Sequence, residues 1–298
     1  MDQPTPPASR DLIRIIHPWV ILASVLTYAL GGGIAHYLGS QINWTSYLVG
    51  QACVIILIIS SYLLREYFDM PVMLEKKPEP GDPPVLTRTI LGQISATFLT
   101  VGAVLTVLLL ANHQLNPQSF LILGLSFILA MAYAIPPLRL AHSGYGELAS
   151  AILVVNLLPG FSFLLQNGEY HRLLALVTLP LTFLYLAAYL AISLQSYAGD
   201  IRSGRKNMLV RLGWQRGMTV HNMLILLGFL VMGTAALAGL PWGITWPGLL
   251  GLPLGLFQIW QMWSIANGAR PRWQLLVITS GATLALTAYF VNFALWTG

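Results

Sequence analysis

The chain reads as an all-α polytopic membrane protein, with nine transmembrane helices around a central apolar cavity, and three observations carry that expectation. Of its 298 residues, 56% are hydrophobic and only 8% are charged, with a mean hydropathy of +0.71. Soluble domains carry about 25% charged residues. Apolar runs of roughly 20 residues recur along the chain, each sufficient to cross a hydrocarbon core of about 30 Å as a helix. The cations gather in alternate connections, as cytoplasmic loops require.

Spans are expected at 19–38, 44–67, 87–111, 118–135, 147–166, 173–199, 217–239, 245–266 and 274–296. Arg10 and Arg14 precede the first span. Arg65, Lys76, Lys77 and Arg88 flank the connection after the second, Arg139 lies in the connection after the fourth, and Arg202, Arg205, Lys206, Arg211 and Arg216 follow the sixth. Arg270 and Arg272 lie in the connection after the eighth, and only Arg172 falls on the opposite side. The expectation is a multi-pass protein of the cell membrane with its N-terminus cytoplasmic and its C-terminus outside. Residues 1–298 form a single transmembrane domain in this reading, with 1–18 a polar, Pro-rich cytoplasmic segment in which no signal peptide is evident.

The net charge of +5 is then a topology signal, and no motif for RNA or DNA accompanies it. Cys53 is the sole cysteine, which excludes an intrachain disulfide and a thiolate metal cluster. Gly31-Gly32-Gly33 lies mid-span, where close helix packing is a better account than phosphate binding. The connections after the second and sixth spans, roughly 69–86 and 200–216, are the longest and carry most of the charge. Loops of that kind are where membrane enzymes keep polar chemistry.

Two acid-bearing stretches stand out. Arg65-Glu66-Tyr67-Phe68-Asp69 closes the second span, followed by Glu75, Glu79 and Asp82. Glu66 and Asp69 are three apart and share a helix face, a spacing that suits Mg²⁺ held between carboxylates and substrate phosphates. The same spacing suits Glu66 paired with Arg65 or Arg88. Ser196–Gly213, SYAGDIRSGRKNMLVRLG, sets Asp200 among four cations. One acid with several cations, facing a second acidic loop, suits a diphosphate, although contact with anionic headgroups accounts for the cations equally well. Tyr67, Tyr133 and Tyr197 lie near the same face, where interfacial anchoring is their default role. Glu147 opens the fifth span and suits its helix dipole. His17, Asn156 and Asn292 are polar groups for which interhelical hydrogen bonding is the default.

These residues bring a family into view. SYAGDIRSGRKNMLVRLG resembles the second signature of the UbiA-type intramembrane prenyltransferases, an Asp-rich segment followed by Gly-Lys-x-(Thr/Asn)-Leu-x-Val-x-Leu-Gly. Arg-Glu-Tyr-Phe-Asp at 65–69 looks like their first signature, Asn-Asp-x-x-Asp or Asn-Glu-Tyr-Phe-Asp. YAIPPLRLAHSGYGEL at 133–148 resembles their Tyr-(Ser/Thr)-x-Pro-Pro-Leu-(Arg/Lys) segment with its Gly-x-Gly-Glu, and IRIIHP at 13–18 looks like the basic entry to their first helix. The departures are Arg65 in place of Asn, Met73 in place of a further Asp or Gly, and Ser196 in place of the first Asp of the second signature.

The resemblance implies a Mg²⁺-dependent prenyltransferase, moving a prenyl group from a prenyl diphosphate to an aromatic or related acceptor of quinone or tetrapyrrole type. Glu66, Asp69 and Asp200 are then the expected metal ligands, with Glu75 or Asp82 as substitutes, and Asp69 and Asp200 are catalytic. Arg205, Lys206, Arg139 and Arg202 are the expected diphosphate contacts. Partners would be the prenyl diphosphate, a hydrophobic acceptor, membrane lipid, and a second copy or membrane-complex partner. The lost acids at Met73 and Ser196 favour an alternative, a non-catalytic UbiA-like subunit that binds a lipid, quinone or pigment in a membrane complex.

Overall fold

The computed structural model describes residues 15, 17–69, 87–202 and 204–298. Glu75, Glu79, Asp82, Met73, Lys76, Lys77, Arg10 and Arg14 lie outside the described residues.

Among the described residues nine helices are long and apolar enough to cross a membrane. They are α1 Pro18–Tyr37, α2 Trp44–Asp69, α3 Arg88–Ala111, α4 Pro117–Ala134, α5 Gly146–Asn167 and α6 Arg172–Arg202, then α8 Trp214–Ala235, α9 Trp242–Ala266 and α10 Trp273–Thr297. A short helix, α7 Met208–Leu212, links α6 to α8. No strand is present among the described residues. The expected spans hold to within a few residues, and the starts follow familiar signals. Pro18 and Pro117 occupy first turns, where the missing N–H costs nothing. Asn116 Oδ1 caps α4 by accepting the Ser119 N–H at 2.7 Å, and Thr87 Oγ1 accepts the Ile90 N–H at 3.3 Å at the head of α3.

Two departures from expectation shape the site. Helix α6 runs on to Arg202, so Asp200 sits on its last turn instead of in a loop. Most of the expected loop 200–216 is helical, as the end of α6, α7 and the start of α8. Gly204 turns the chain between them at φ 70°, a conformation costly for a residue with a Cβ.

The inner wall is built by α1, α5, α6 and α10, with α8 along α6 and α2 bridging to α3 and α4. Helix α3 is largely open to the surroundings and α5 largely buried. The glycine run explains the closest contact. A Cβ on Gly31 would lie 2.1 Å from the Pro159 carbonyl oxygen of α5. Gly32 faces the Tyr47 ring and Gly33 faces Trp296, so packing accounts for the whole run. Helix α5 is π-helical over Ile152–Leu157. Asn156 Nδ2 in that turn donates to Thr182 Oγ1 of α6 at 3.0 Å, and Asn292 Nδ2 donates to the Leu26 carbonyl of α1 at 2.9 Å. Both are the interhelical bonds expected of them.

Candidate active site

The ends of α2 and α6, the 135–147 connection and the head of α7 meet on one face and form a polar pocket of about 100 Å³. Arg65, Tyr133, Glu147, Asp200, Arg205 and Asn207 are among its lining side chains. Asp200 is 7% exposed and its carboxylate is held by neutral donors. Ser196 Oγ donates to Oδ2 at 2.7 Å and Asn207 Nδ2 donates to the same oxygen at 2.8 Å. Arg205 Nη1 stands 4.0 Å from Oδ1. Asn207 also accepts the Val210 N–H at 2.7 Å, so one side chain caps α7 and fixes Asp200. Glu147 is buried and accepts the Met208 N–H at 3.0 Å, tying α5 to α7.

Arg65 enters this pocket from α2 and is 6% exposed. Its partners are weak. Nη1 donates to Tyr133 Oη at 3.5 Å, Nη2 lies 3.4 Å from His17 Nε2, and Nε has no partner. The guanidinium lies 5.0 Å from the Tyr62 ring centre, a cation–π distance. Arginine has only donors, so His17 Nε2 is the acceptor in that contact. Burial of the His17 ring, then the charges of Arg65 and Arg205, push its pKa down to about 4, so His17 is neutral at pH 7.

The first acid stretch is arranged differently. Asp69 ends α2 in an ion pair with Arg139 and lies 3.2 Å from His142 Nε2. Arg139 Nη2 also donates to the Phe68 carbonyl at 3.3 Å. Asp69 and Arg139 are thus committed to each other, and neither lines the pocket. Glu66 is half-buried and also lies outside it. Arg202 and Lys206 are exposed beside the pocket, while Arg205 lines it. Of the expected metal set, Asp200 alone faces the pocket, and the described residues hold no group of three or more His, Cys, Asp or Glu side chains able to take a metal. A guanidinium within the pocket repels a divalent ion and offers it no lone pair. The described donor set therefore does not fit the Mg²⁺ cluster that the resemblance implies.

A second cavity continues from the polar pocket. It is an apolar groove of about 120 Å³ between α1, α6 and α10, walled by residues such as Val20, Leu26, Leu284 and Ala288. His17, Tyr189 and Ile192 line both. Trp19 and Leu22 at the groove are 46% and 43% exposed. A polar head joined to a long apolar tail is the shape of a prenyl diphosphate.

Comparison with known proteins agrees with that shape. The sequence profile of the UbiA prenyltransferase family matches residues 24–281. The chain belongs to this family. A curated relative, the 2-carboxy-1,4-naphthoquinone phytyltransferase of Synechocystis sp., is 24% identical over 260 residues, covering 80% of this chain and 82% of the relative. A UbiA homolog from Archaeoglobus fulgidus solved with GPP and Mg²⁺ superposes with a TM-score of 0.67 at 17% identity, over 96% of this chain and 99% of the homolog. The same homolog with DMAPP and Mg²⁺ gives 0.67 at 18% identity and the same coverage. A structure of digeranylgeranylglyceryl phosphate synthase gives 0.61 at 14% identity, over 97% and 98% of the two chains. The UbiA fold is thereby shared, in a multi-pass membrane protein.

Sequence reasoning reached Asp200 and Arg205 and missed four pocket residues. Asn207 stands at the Thr/Asn position of the second signature, and that was the available signal. Arg65 stood out only as a departure. His17, assigned to interhelical bonding, faces the pocket. Tyr189 lies inside an apolar span and gave no signal.

Proposed function

We propose that this UbiA-family chain transfers a prenyl group, within the membrane, from a prenyl diphosphate to a quinone-type or other aromatic acceptor. The junction of the polar pocket and the apolar groove at His17, Tyr189 and Ile192 carries this reading. The relative's substrates suggest a phytyl-type donor and a carboxynaphthoquinone-type acceptor in its quinol form.

In the reaction the C1–O bond of the allylic diphosphate breaks and its electron pair leaves on the diphosphate oxygen. A ring carbon of the acceptor supplies the pair for the new bond to C1. That carbon then loses its proton, or carbon dioxide where it bears a carboxyl group. Arg65 and Arg205 stabilise charge on the departing diphosphate. Asp200 and Asn207 hold Arg205 and the head of α7 in place. The groove houses the prenyl tail and keeps water from the allylic cation, which the Tyr133 and Tyr189 rings can face. Arg202 and Lys206, exposed beside the pocket, draw the anion in from the cytoplasmic side. Mg²⁺ is recorded with GPP and DMAPP in the A. fulgidus homolog, and no step is assigned to it here because the described donor set does not fit it. The proposed setting is the cell membrane with the N-terminus cytoplasmic, which labelling of cysteines introduced at either end of intact cells checks.

The test is reconstitution in lipid nanodiscs with radiolabelled prenyl diphosphates, from geranyl to phytyl, against a panel of quinol and phenol acceptors. Prenylated product that disappears in Asp200→Ala is expected. No product from any pair sinks the transferase reading. The commitment of Asp69 to Arg139 and His142 favours the second reading, a non-catalytic lipid-, quinone- or pigment-binding subunit. Stoichiometric co-purification of such a molecule, without diphosphate binding, selects it.

A further inference from the structure

We infer that the buried guanidinium of Arg65, with Arg205, takes the place of a divalent cation in this pocket, so that the site binds a prenyl diphosphate without Mg²⁺. The inference rests on the proposed diphosphate substrate and deepens that reading.

Arg65 is 6% exposed and always charged. Among the described residues no carboxylate lies within 4.0 Å of it. Its hydrogen-bond contacts are to neutral groups at the long limit, 3.4 Å to His17 and 3.5 Å to Tyr133, its guanidinium lies against the Tyr62 ring, and Nε has no partner among the described residues. A buried cation in this condition is costly unless an anion joins it. Among the described residues, the acids near this pocket are engaged elsewhere. Asp69 is held by Arg139 and His142. Asp200 is held by Ser196 and Asn207 and faces Arg205, and Glu147 holds the Met208 amide. Among the described residues no acid completes Arg65, which leaves that place to an anion carried by a ligand.

The chemistry of the guanidinium narrows that anion. Its planar fork matches phosphate oxygens with paired donors, and Nε and Nη lie on one edge of that fork. Arg205 lines the same pocket and gives a second fork for a second phosphate. The site therefore selects a diphosphate head over a monophosphate. A diphosphate is also the group whose charge a metal otherwise neutralises. Here α2 carries a fixed cation, with Glu66 and Asp69 outside the pocket.

The experiment is equilibrium binding of an unreactive geranyl thiodiphosphate to the full chain in nanodiscs, with EDTA or with millimolar Mg²⁺. The wild-type Kd is expected to differ by less than about threefold between the two. Arg65→Asn is expected to weaken binding in EDTA by about thirtyfold or more, and Arg65→Lys by less, because it keeps the charge. Wild-type binding that collapses in EDTA overturns the inference, and that measurement needs no variant to fold. Arg65→Asn binding as tightly as wild type in EDTA overturns it as well, and so does absence of binding under both conditions. Binding retained in EDTA with no transfer to any acceptor supports the inference while sinking the transferase reading. Transfer that proceeds only with Mg²⁺, with binding lost in EDTA, does the reverse.

Discussion

Two acids close two helix ends on the same face of this fold, and their surroundings are opposite. Asp69, the last residue of α2, is gripped by a guanidinium and an imidazole from the 135–147 connection. Asp200, on the last turn of α6, is held by a hydroxyl and an amide while its nearest cation stands off at 4.0 Å. The first arrangement neutralises its acid and fastens a loop. The second keeps a carboxyl group oriented beside the pocket. A motif match assigns both the same role, and the neighbours of each residue separate them.

The sharpest way to break this contrast is a matched pair of substitutions. Asp200→Ala is expected to lower the transfer rate by about a hundredfold or more, and Asp69→Ala by less than about tenfold, both read as initial rates in nanodiscs. Equal losses would show that both acids serve the reaction. Next in size is Asn207→Asp, which keeps an α7 cap but replaces a donor to Asp200 with a like charge. It is expected to cost roughly tenfold to thirtyfold in transfer with little change in melting temperature. An N207D protein with full activity would remove Asn207 from the site. Ser196→Asp supplies the acid that the second signature has at this position. It is expected to weaken diphosphate binding in EDTA by about tenfold and to make that binding respond to Mg²⁺. No Mg²⁺ response would show that one added carboxylate cannot build the metal site here. The smallest effect belongs to Arg139→Ala. Its partly exposed pair with Asp69 is worth about 1 kcal/mol or less, seen as a fall of roughly 2–4 °C in melting temperature. A loss of transfer larger than that of Asp200→Ala would invert the comparison.

The fold was legible because lipid leaves few alternatives: apolar length gives the spans. The phase of each helix was not. In a soluble helix, polar residues mark the outer face, but in a membrane both lipid and protein interior accept Leu, Val and Phe. Nothing in LREYFD therefore says that Arg65, and not Glu66, faces the cavity. Asp69 shows the same limit, since its partners Arg139 and His142 lie some seventy residues away in sequence, on a connection that only the packing of α2 beside α4 brings near. Asp200 fared better because its supports, Ser196 and Asn207, lie within one turn of helix and one short linker. Glu147 was expected to serve the dipole of its own helix, and it also binds the Met208 amide on α7, a contact that needs tertiary structure.

The π-helical turn at Ile152–Leu157 bears on how this chain should be lined up with its relatives. A π turn accommodates one residue more than a regular turn, so the two ends of α5 are out of register with a straight helix. Ahead of it Glu147 looks into the pocket, and behind it Phe161 and Phe163 are fully buried in the helix packing. The π turn absorbs its extra residue locally, so removing one residue between 152 and 157 would leave Glu147 on the pocket wall, whereas removing one from a regular part of α5 would turn its ends by about 100° relative to each other. Pairwise comparison with a relative whose fifth span is regular needs a single-column gap inside that hexapeptide, because a gap placed in the loops would pair Glu147 with the wrong neighbour.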